Sequence, residues 1–340
     1  MSTRDIIVIG ASAGGVEALV DLVCGLPADL PAAVFVVVHF PAQSASAMPQ
    51  ILTRAGPLPA AHARHGEVIR PGRIYVAVPD HHLIVHREVV HLVRGPQENR
   101  CRPAIDPLFR SAAVAYGPRV IGVILSGSLY DGTVGLLAIK RHGGVTIVQD
   151  PAEALFPDMP RNALEYVEVD HVLPLAQIAP TLVRLTREQI GEMPGVVASN
   201  NEQKEIAVAE ADMPTIENEN KPGTPSVFAC PECGGTLWEI QEEDLLRFRC
   251  RIGHAFSADS LLSVQAEALE GALWAALHGL EENAALAPRM ADSARARNLN
   301  HAATRFEERV RTVEQQARII RDVLVHDKPP VELAPEEDPE

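Results

Sequence analysis

The 340-residue sequence lacks the features that mark several large protein classes. No uninterrupted apolar stretch reaches the roughly 20 residues a bilayer-crossing helix needs. Nor does the N-terminus carry a signal-peptide pattern, so a soluble cytoplasmic protein without membrane insertion is expected. Basic charge is in deficit: 45 acidic side chains face 30 basic ones, for a net charge of −15. Nucleic-acid binding, which needs a basic footprint, is therefore disfavoured. The acidity is unevenly placed, since residues 1–190 hold 17 acids and 16 bases while 196–226 carry −4 and 327–340 carry −5. Cysteine is also scarce. Cys24 and Cys101 lie isolated, whereas Cys230, Cys233 and Cys250 cluster late, which is metal spacing rather than a disulfide framework. The glycine-rich opening loop has neither G-x-G-x-x-G nor a G-K-[ST] ending, which argues against a nucleotide site.

What is present begins at residues 5–19. Ile6, Ile7, Val8 and Ile9 form a short β-branched run, as expected for a parallel strand buried on both faces. Gly10, Gly14 and Gly15 let the backbone turn tightly, and residues 16–23 have the apolar spacing of a helix. Gly10, Ala11, Ser12, Ala13 and Gly14 fit G-x-S-x-G. A serine on such a strand-to-helix turn stands exposed above the sheet edge, with the following N–H groups aimed at an oxyanion. A phosphate cradle and a purely structural turn are the competing readings of this loop.

Residues 33–38 form a second apolar strand that ends at His39. That edge is where open α/β sheets place their ligands, local capping being the alternative for a lone histidine. The pattern changes over 67–93, where strands at 72–79, 82–86 and 89–93 read as an antiparallel excursion. His81, His82, His86 and His91 are read as surface strand residues, because no Cys, Asp or Glu spacing organises them. Residues 120–125 are another apolar strand, leading through Ser126, Gly127 and Ser128 to Asp131. A helix through Lys140, a strand at 145–149, segments 163–167 and 170–174 and a helix over 175–189 complete the unit. The alternation predicts an α/β fold with a doubly wound, mostly parallel sheet. Ser12, His39 and Asp131 then share one edge. Serine needs a base, and histidine needs a carboxylate to fix its tautomer.

From Ile6 to Leu185 these residues resemble the catalytic domain of the chemotaxis protein-glutamate methylesterases. The likeness rests on residues 9–15, the strand ending in His39, Gly95 and Pro96 with 99–109, and Leu125, Ser126 and Gly127 leading to Asp131 and Gly132. Gln149 and Asp150, Met159 and Pro160, and residues 170–175 extend it. The resemblance implies hydrolysis of glutamate γ-methyl esters, with glutamine deamidation, on methylated chemoreceptor-like signalling proteins. Ser12 would be the nucleophile, His39 the base, Asp131 its orienter, and the N–H groups of Ala13 and Ser128 the oxyanion donors. No cofactor for catalysis is implied. A non-catalytic signalling adaptor that retains the fold is the alternative. Several positions depart from the family pattern. Ala13 stands where threonine is usual, Ser128 and Leu129 replace a methionine and a glycine, and H-x-P-S reads Cys101, Arg102, Pro103 and Ala104. A left-handed backbone at Leu129 would be strained. Only five residues precede Ile6, where such proteins usually carry a receiver domain, so a stand-alone esterase domain over 1–190 is expected.

Residues 191–226, rich in Glu, Asn, Pro and Ala, read as a flexible acidic linker. Cys230, Cys233, Cys250 and His254 then give C-x2-C-x16-C-x3-H within a zinc-ribbon-like module at 227–258, with a hairpin at 236–240 and 245–249. Four such ligands suit structural zinc and leave no open position for catalysis. The module is expected to be dispensable for hydrolysis of a small ester. Leu262, Ala266, Leu269, Leu273, Ala276 and Leu280 recur at heptad spacing, as do Phe306, Val310, Val313, Ala317, Ile320 and Leu324. They predict a helical hairpin over 259–326 turning around Pro288, its stripes covering each other or docking a protein partner. Residues 327–340 read as an acidic, solvated tail.

Overall fold

The computed structural model describes residues 2–40, 46–128, 130–191, 200–210, 223–242 and 245–326. Strand β1 (Ile6–Ala11) leads to α1 (Gly15–Cys24), β2 (Ala33–Val38), α2 (Met48–Ala55), β3 (Ala60–His62) and β4 (Arg73–Val76). A hairpin of β5 (His82–Val85) and β6 (Val89–Val93) precedes α3 (Ile105–Tyr116), β7 (Val120–Ile124) and α4 (Thr133–Arg141). Then come β8 (Val145–Gln149), α5 (Asp158–Tyr166), β9 (His171–Leu173) and α6 (Leu175–Arg187). Seven strands in the order β9-β8-β7-β1-β2-β4-β3 form one sheet in which every pair is parallel.

The central strands β1, β2 and β7 are apolar at every position because both faces are covered. Ile7 and Ile9 pack with Leu19 of α1, Leu52 of α2 and Leu182 of α6. On the opposite face, Ile6 and Val8 pack with Phe109 of α3, Leu136 of α4 and Met159 of α5. The chain leaves β1 toward β2 on one side and later returns to β7 on the other. The carboxyl ends of β1 and β7 therefore flank the topological switch point, where such sheets open a crevice.

Residues 73–76 correct the expected extent of the antiparallel excursion. They belong to the main sheet, with Ile74 and Val76 in one core and Tyr75 in the other. The antiparallel sheet comprises β5, β6 and the short strand Glu67–Val68.

Within the segment expected to be a flexible linker, Asn200–Glu210 form helix α7, with Ile206 and Ala209 buried against Ile84 and Val93. Its apolar stripe is only two residues wide, too little to stand out among its polar neighbours. Residues 192–199 and 211–222 lie outside the described residues. Strands β10 (Thr224–Ala229), β11 (Thr236–Glu242), β12 (Leu245–Cys250) and β13 (Ala255–Ser257) form a four-stranded antiparallel sheet. It belongs to the same compact unit as the parallel sheet, which extends to Leu261. The expected separation of the two is thus not what the packing gives.

Backbone and charge both make the join. Asn99 N–H donates to Ala255 O at 2.8 Å, and Ala255 N–H to Gln97 O at 3.3 Å. Glu98, Arg110 and Arg249 are only 1 %, 1 % and 2 % exposed. Glu98 accepts hydrogen bonds from Arg110 at 2.9 and 3.1 Å and from Arg249 at 3.3 Å. Glu205 of α7 accepts from Arg247 at 3.0 Å and lies 3.3 Å from Arg110.

The second unit begins at Leu262. Helix α8 (Ala258–Ala296) continues through Pro288, and α9 (Asn300–His326) follows. The turn falls at Asn298, with φ 58°, rather than around Pro288. Ala287 and Ala291, both buried, carry the helix past the proline's missing N–H. Leu277, Ala317 and Leu324 form the seam with Leu273, Leu280 and Ile320. Leu262 and Leu269 of the expected stripe are exposed. Residues 327–340 lie outside the described residues.

Candidate active site

Ser12 follows the last residue of β1, and its N–H donates to Ser126 O at 3.0 Å, tying the serine loop to the loop after β7. Gly14 caps α1 in the left-handed region, with φ 68°, where a side chain is strained. Gly127 allows the two loops to touch. A Cβ there would lie 2.1 Å from the Met159 sulfur and 2.9 Å from Ser12 Cβ.

His39 stands at the end of β2. Its Nδ1 is 3.1 Å from Ser12 Oγ and its Nε2 is 2.7 Å from Asp131 Oδ2. The ring nitrogens are used in the reverse sense to the trypsin-like triad. In the neutral ring that catalysis needs, Nε2–H donates to the carboxylate, leaving Nδ1 to accept from the serine hydroxyl. Asp131 is buried in the loop before α4, and the first N–H groups of α3 reach it: Ile105 at 2.6 Å and Asp106 at 3.2 Å. These orphan donors at a helix start favour an anion. The three residues expected to share an edge are thus joined in one hydrogen-bonded line.

Burial alone would raise the Asp131 pKa, but the hydrogen bond and charge of His39, with the two N–H donors, hold it below the usual carboxylate range. Asp106 goes the other way. Burial and then the neighbouring Asp131 charge raise it well above that range. Burial disfavours a charged His39, yet Cys101 and Asp131 together raise its pKa from 6.5 to about 10.

Cys101 lies against this line, with its sulfur within 4.8 Å of the His39 and Asp131 ligand atoms. Sequence reasoning gave it no role, although its departure from H-x-P-S marks the position. Asp106 and Asn99 were likewise passed over. Among the described residues, the N–H groups of Ala13 and Ser128 have no intramolecular acceptor. Leu129, where strain was expected, lies outside the described residues. His82, expected at the surface, is fully buried. Its Nδ1 accepts from Ala104 N–H at 3.2 Å and its Nε2 donates to Pro96 O at 2.9 Å, while burial lowers its pKa. It therefore pins both ends of the segment that carries Cys101. His86 and His91 are half-buried and share Glu210 Oε1 at 2.5 and 3.2 Å.

Cys230, Cys233, Cys250 and His254 converge in the four-stranded module. The Cys233 and Cys250 sulfurs are 3.7 Å apart, and His254 Nδ1 is 3.7 Å from Cys230 Sγ and 3.5 Å from Cys250 Sγ. Tetrahedral zinc with ordinary bond lengths requires edges of about 3.8 Å between sulfurs and about 3.6 Å from sulfur to nitrogen. The donor set fits zinc.

Fold and site together place the chain among open-sheet α/β proteins built around a serine–histidine–carboxylate line. A family model described as CheB methylesterase matches residues 7–182, and the chain belongs to that family. A protein-glutamate methylesterase/protein-glutamine glutaminase of Anaeromyxobacter dehalogenans is 40 % identical over 183 residues, covering 54 % of either chain. A homologue from Pseudomonas aeruginosa, with the same description, is 41 % identical over 188 residues and again 54 % of each chain. A putative one from Leptospira interrogans is 38 % identical over 185 residues, 54 % of this chain and 96 % of its own. This chain thus spans about half the length of the first two. The crystal structure of the Thermotoga maritima CheB methylesterase catalytic domain aligns with TM-score 0.52 and 33 % identity, covering all of that chain and 54 % of this one.

Proposed function

We propose that this protein is a serine hydrolase that removes methyl groups from glutamate γ-methyl esters, and deamidates glutamine, on chemoreceptor-like signalling proteins. The continuous line Ser12–His39–Asp131 carries the reading. His39 Nδ1 takes the hydroxyl proton as Ser12 Oγ attacks the γ-carbonyl carbon. The N–H groups of Ala13 and Ser128 receive the resulting oxyanion. Collapse breaks the C–O bond, and the methoxide leaves as methanol with the proton from His39. Water then attacks the acyl-serine, giving up a proton to His39, and glutamate and free Ser12 are released. An amide follows the same path with ammonia leaving. Cys230, Cys233, Cys250 and His254 hold one structural zinc, which when bound cross-links the two knuckles and takes no part in bond breaking. The exposed apolar side chains of the helical hairpin, Trp274, Met290 and Val323 among them, favour a protein partner for that unit.

The rival reading is a non-catalytic adaptor. Labelling with a fluorophosphonate separates them, since only an activated Ser12 reacts. Ser12→Ala is expected to abolish methyl-ester hydrolysis with the fold intact, and His39→Ala to lower kcat on the order of 10³ or more. Undiminished hydrolysis by folded Ser12→Ala protein would refute the proposal.

A further inference from the structure

The metal-binding module and the triad are joined by one short stretch of backbone, residues 97–106. At its first end the module grips it from both knuckles. Ala255, next to the ligand His254, exchanges backbone hydrogen bonds with Gln97 and Asn99 at 3.3 and 2.8 Å. Glu232, between Cys230 and Cys233, pairs with Arg100 at 4.0 Å. At its other end the same stretch supplies the Ile105 and Asp106 N–H groups that hold the Asp131 carboxylate.

Asn99 links the two ends. Its Oδ1 accepts from Ser257 N–H in β13 at 3.0 Å, and its Nδ2 donates to Asp106 Oδ2 at 3.3 Å. Asp106 Oδ1 in turn accepts from Gly132 N–H at 3.1 Å and Gly135 N–H at 2.7 Å, on the loop and helix that carry Asp131. Asn99 is 5 % exposed and sits at φ 49°, a left-handed conformation that asparagine tolerates better than most residues. A buried side chain that holds such a backbone and bonds in both directions is there for position.

We infer that Asn99 is a positioning residue for Asp131, and that occupancy of the Cys230–Cys233–Cys250–His254 site sets the geometry of the triad through it. The inference rests on the proposed hydrolase activity and on the zinc reading. Loss of metal frees the His254–Ala255 turn, which loosens Asn99. Asp106 then shifts, and the N–H cradle of Asp131 with it. Binding of an ester at Ser12 does not use any of these groups, so the effect falls on kcat rather than KM. Misplacement by about 1 Å at a distance from the chemistry is worth on the order of 10²-fold in rate.

The test uses the full-length protein as purified, its zinc content measured by mass spectrometry, before and after chelation and in the ligand variant Cys233→Ser. Two readouts are followed: kcat and KM on a small methyl ester, and the far-downfield NMR proton on His39 Nε2 that reports its bond to Asp131. Chelation is expected to lower kcat about 10- to 100-fold with KM little changed, and to shift or broaden that proton, with zinc restoring both. Asn99→Gly keeps the left-handed backbone and removes the side chain. It should reproduce the loss of kcat and the NMR change in zinc-loaded protein, and chelation should then add little, as expected for residues acting in one chain. Asn99→Asp keeps the acceptor but sets a carboxylate against Asp106, and should lose at least as much. If zinc is bound but its removal leaves kcat and the His39 proton unchanged, the coupling is wrong and the metal reading stands. Absence of zinc from the purified protein overturns the metal reading and the coupling with it. A His39 proton that moves on chelation in a protein without esterase activity supports the coupling and overturns the hydrolase.

Discussion

At the scale of single residues, the site is a contest between burial and charge around one imidazole. Burial opposes the charged form of His39, and Cys101 and Asp131 outweigh it, carrying the pKa from 6.5 to about 10. A raised folded-state value stabilises the protein fully below pH 6.5 and loses that contribution as pH rises through about 10. Catalysis runs the other way, because the base must be neutral. Cys101→Ala leaves Asp131 alone against burial, so the acidic limb of kcat/KM should move to lower pH, as a pH–rate profile would show. An unmoved limb would mean that the sulfur exerts no charge on the ring. Ser12, His39 and Asp131 were legible because each is a reactive residue type on the loop that follows an apolar strand. Asn99, Asp106 and Cys101 were not, since their roles arise from contacts with α4, β2 and β13 that local sequence does not announce.

Among the elements, the unexpected one is α7. Its hold on the sheet domain is largely ionic, through Glu205 with Arg110 and Arg247, joined by Glu98 with Arg110 and Arg249. Each of these residues reads in sequence as an ordinary surface charge, because apart from Glu98 and Arg110, 12 positions apart, the partners lie in different segments 42 to 151 positions away. Burial works to raise both carboxyl pKa values, but the guanidinium groups hold them below the usual range. That stability is present above the ordinary carboxylate range, near about pH 4, and is lost as pH falls through the depressed folded values. Amide exchange in α7 and β12 should therefore quicken on acidification before exchange in β1 and β7 does. Simultaneous exchange of all four would contradict this. Glu98→Ala leaves the buried Arg110 and Arg249 with Glu205 alone to balance them, with an expected loss of about 3–5 kcal/mol in chemical denaturation. The hairpin seam is by contrast apolar. Ala317→Asp should melt α8 and α9 beyond Leu262 while leaving hydrolysis of a small ester unchanged.

For the whole molecule, the parallel sheet was readable because strands buried on both faces are apolar at every position, with no need for partners to be known. What escaped was which pieces share a compact unit. The four-stranded module resembles an independent bead in sequence, and its docking surface is one backbone strand and two arginines. That arrangement has a consequence for biosynthesis. A nascent chain that has emerged through residue 190 possesses every strand of the parallel sheet and all three triad residues, yet Glu98 and Arg110 still wait for Glu205, Arg247 and Arg249. The first half must then persist on the ribosome with half-paired ions on its flank, completing them only when β12, the third strand of the ribbon, arrives.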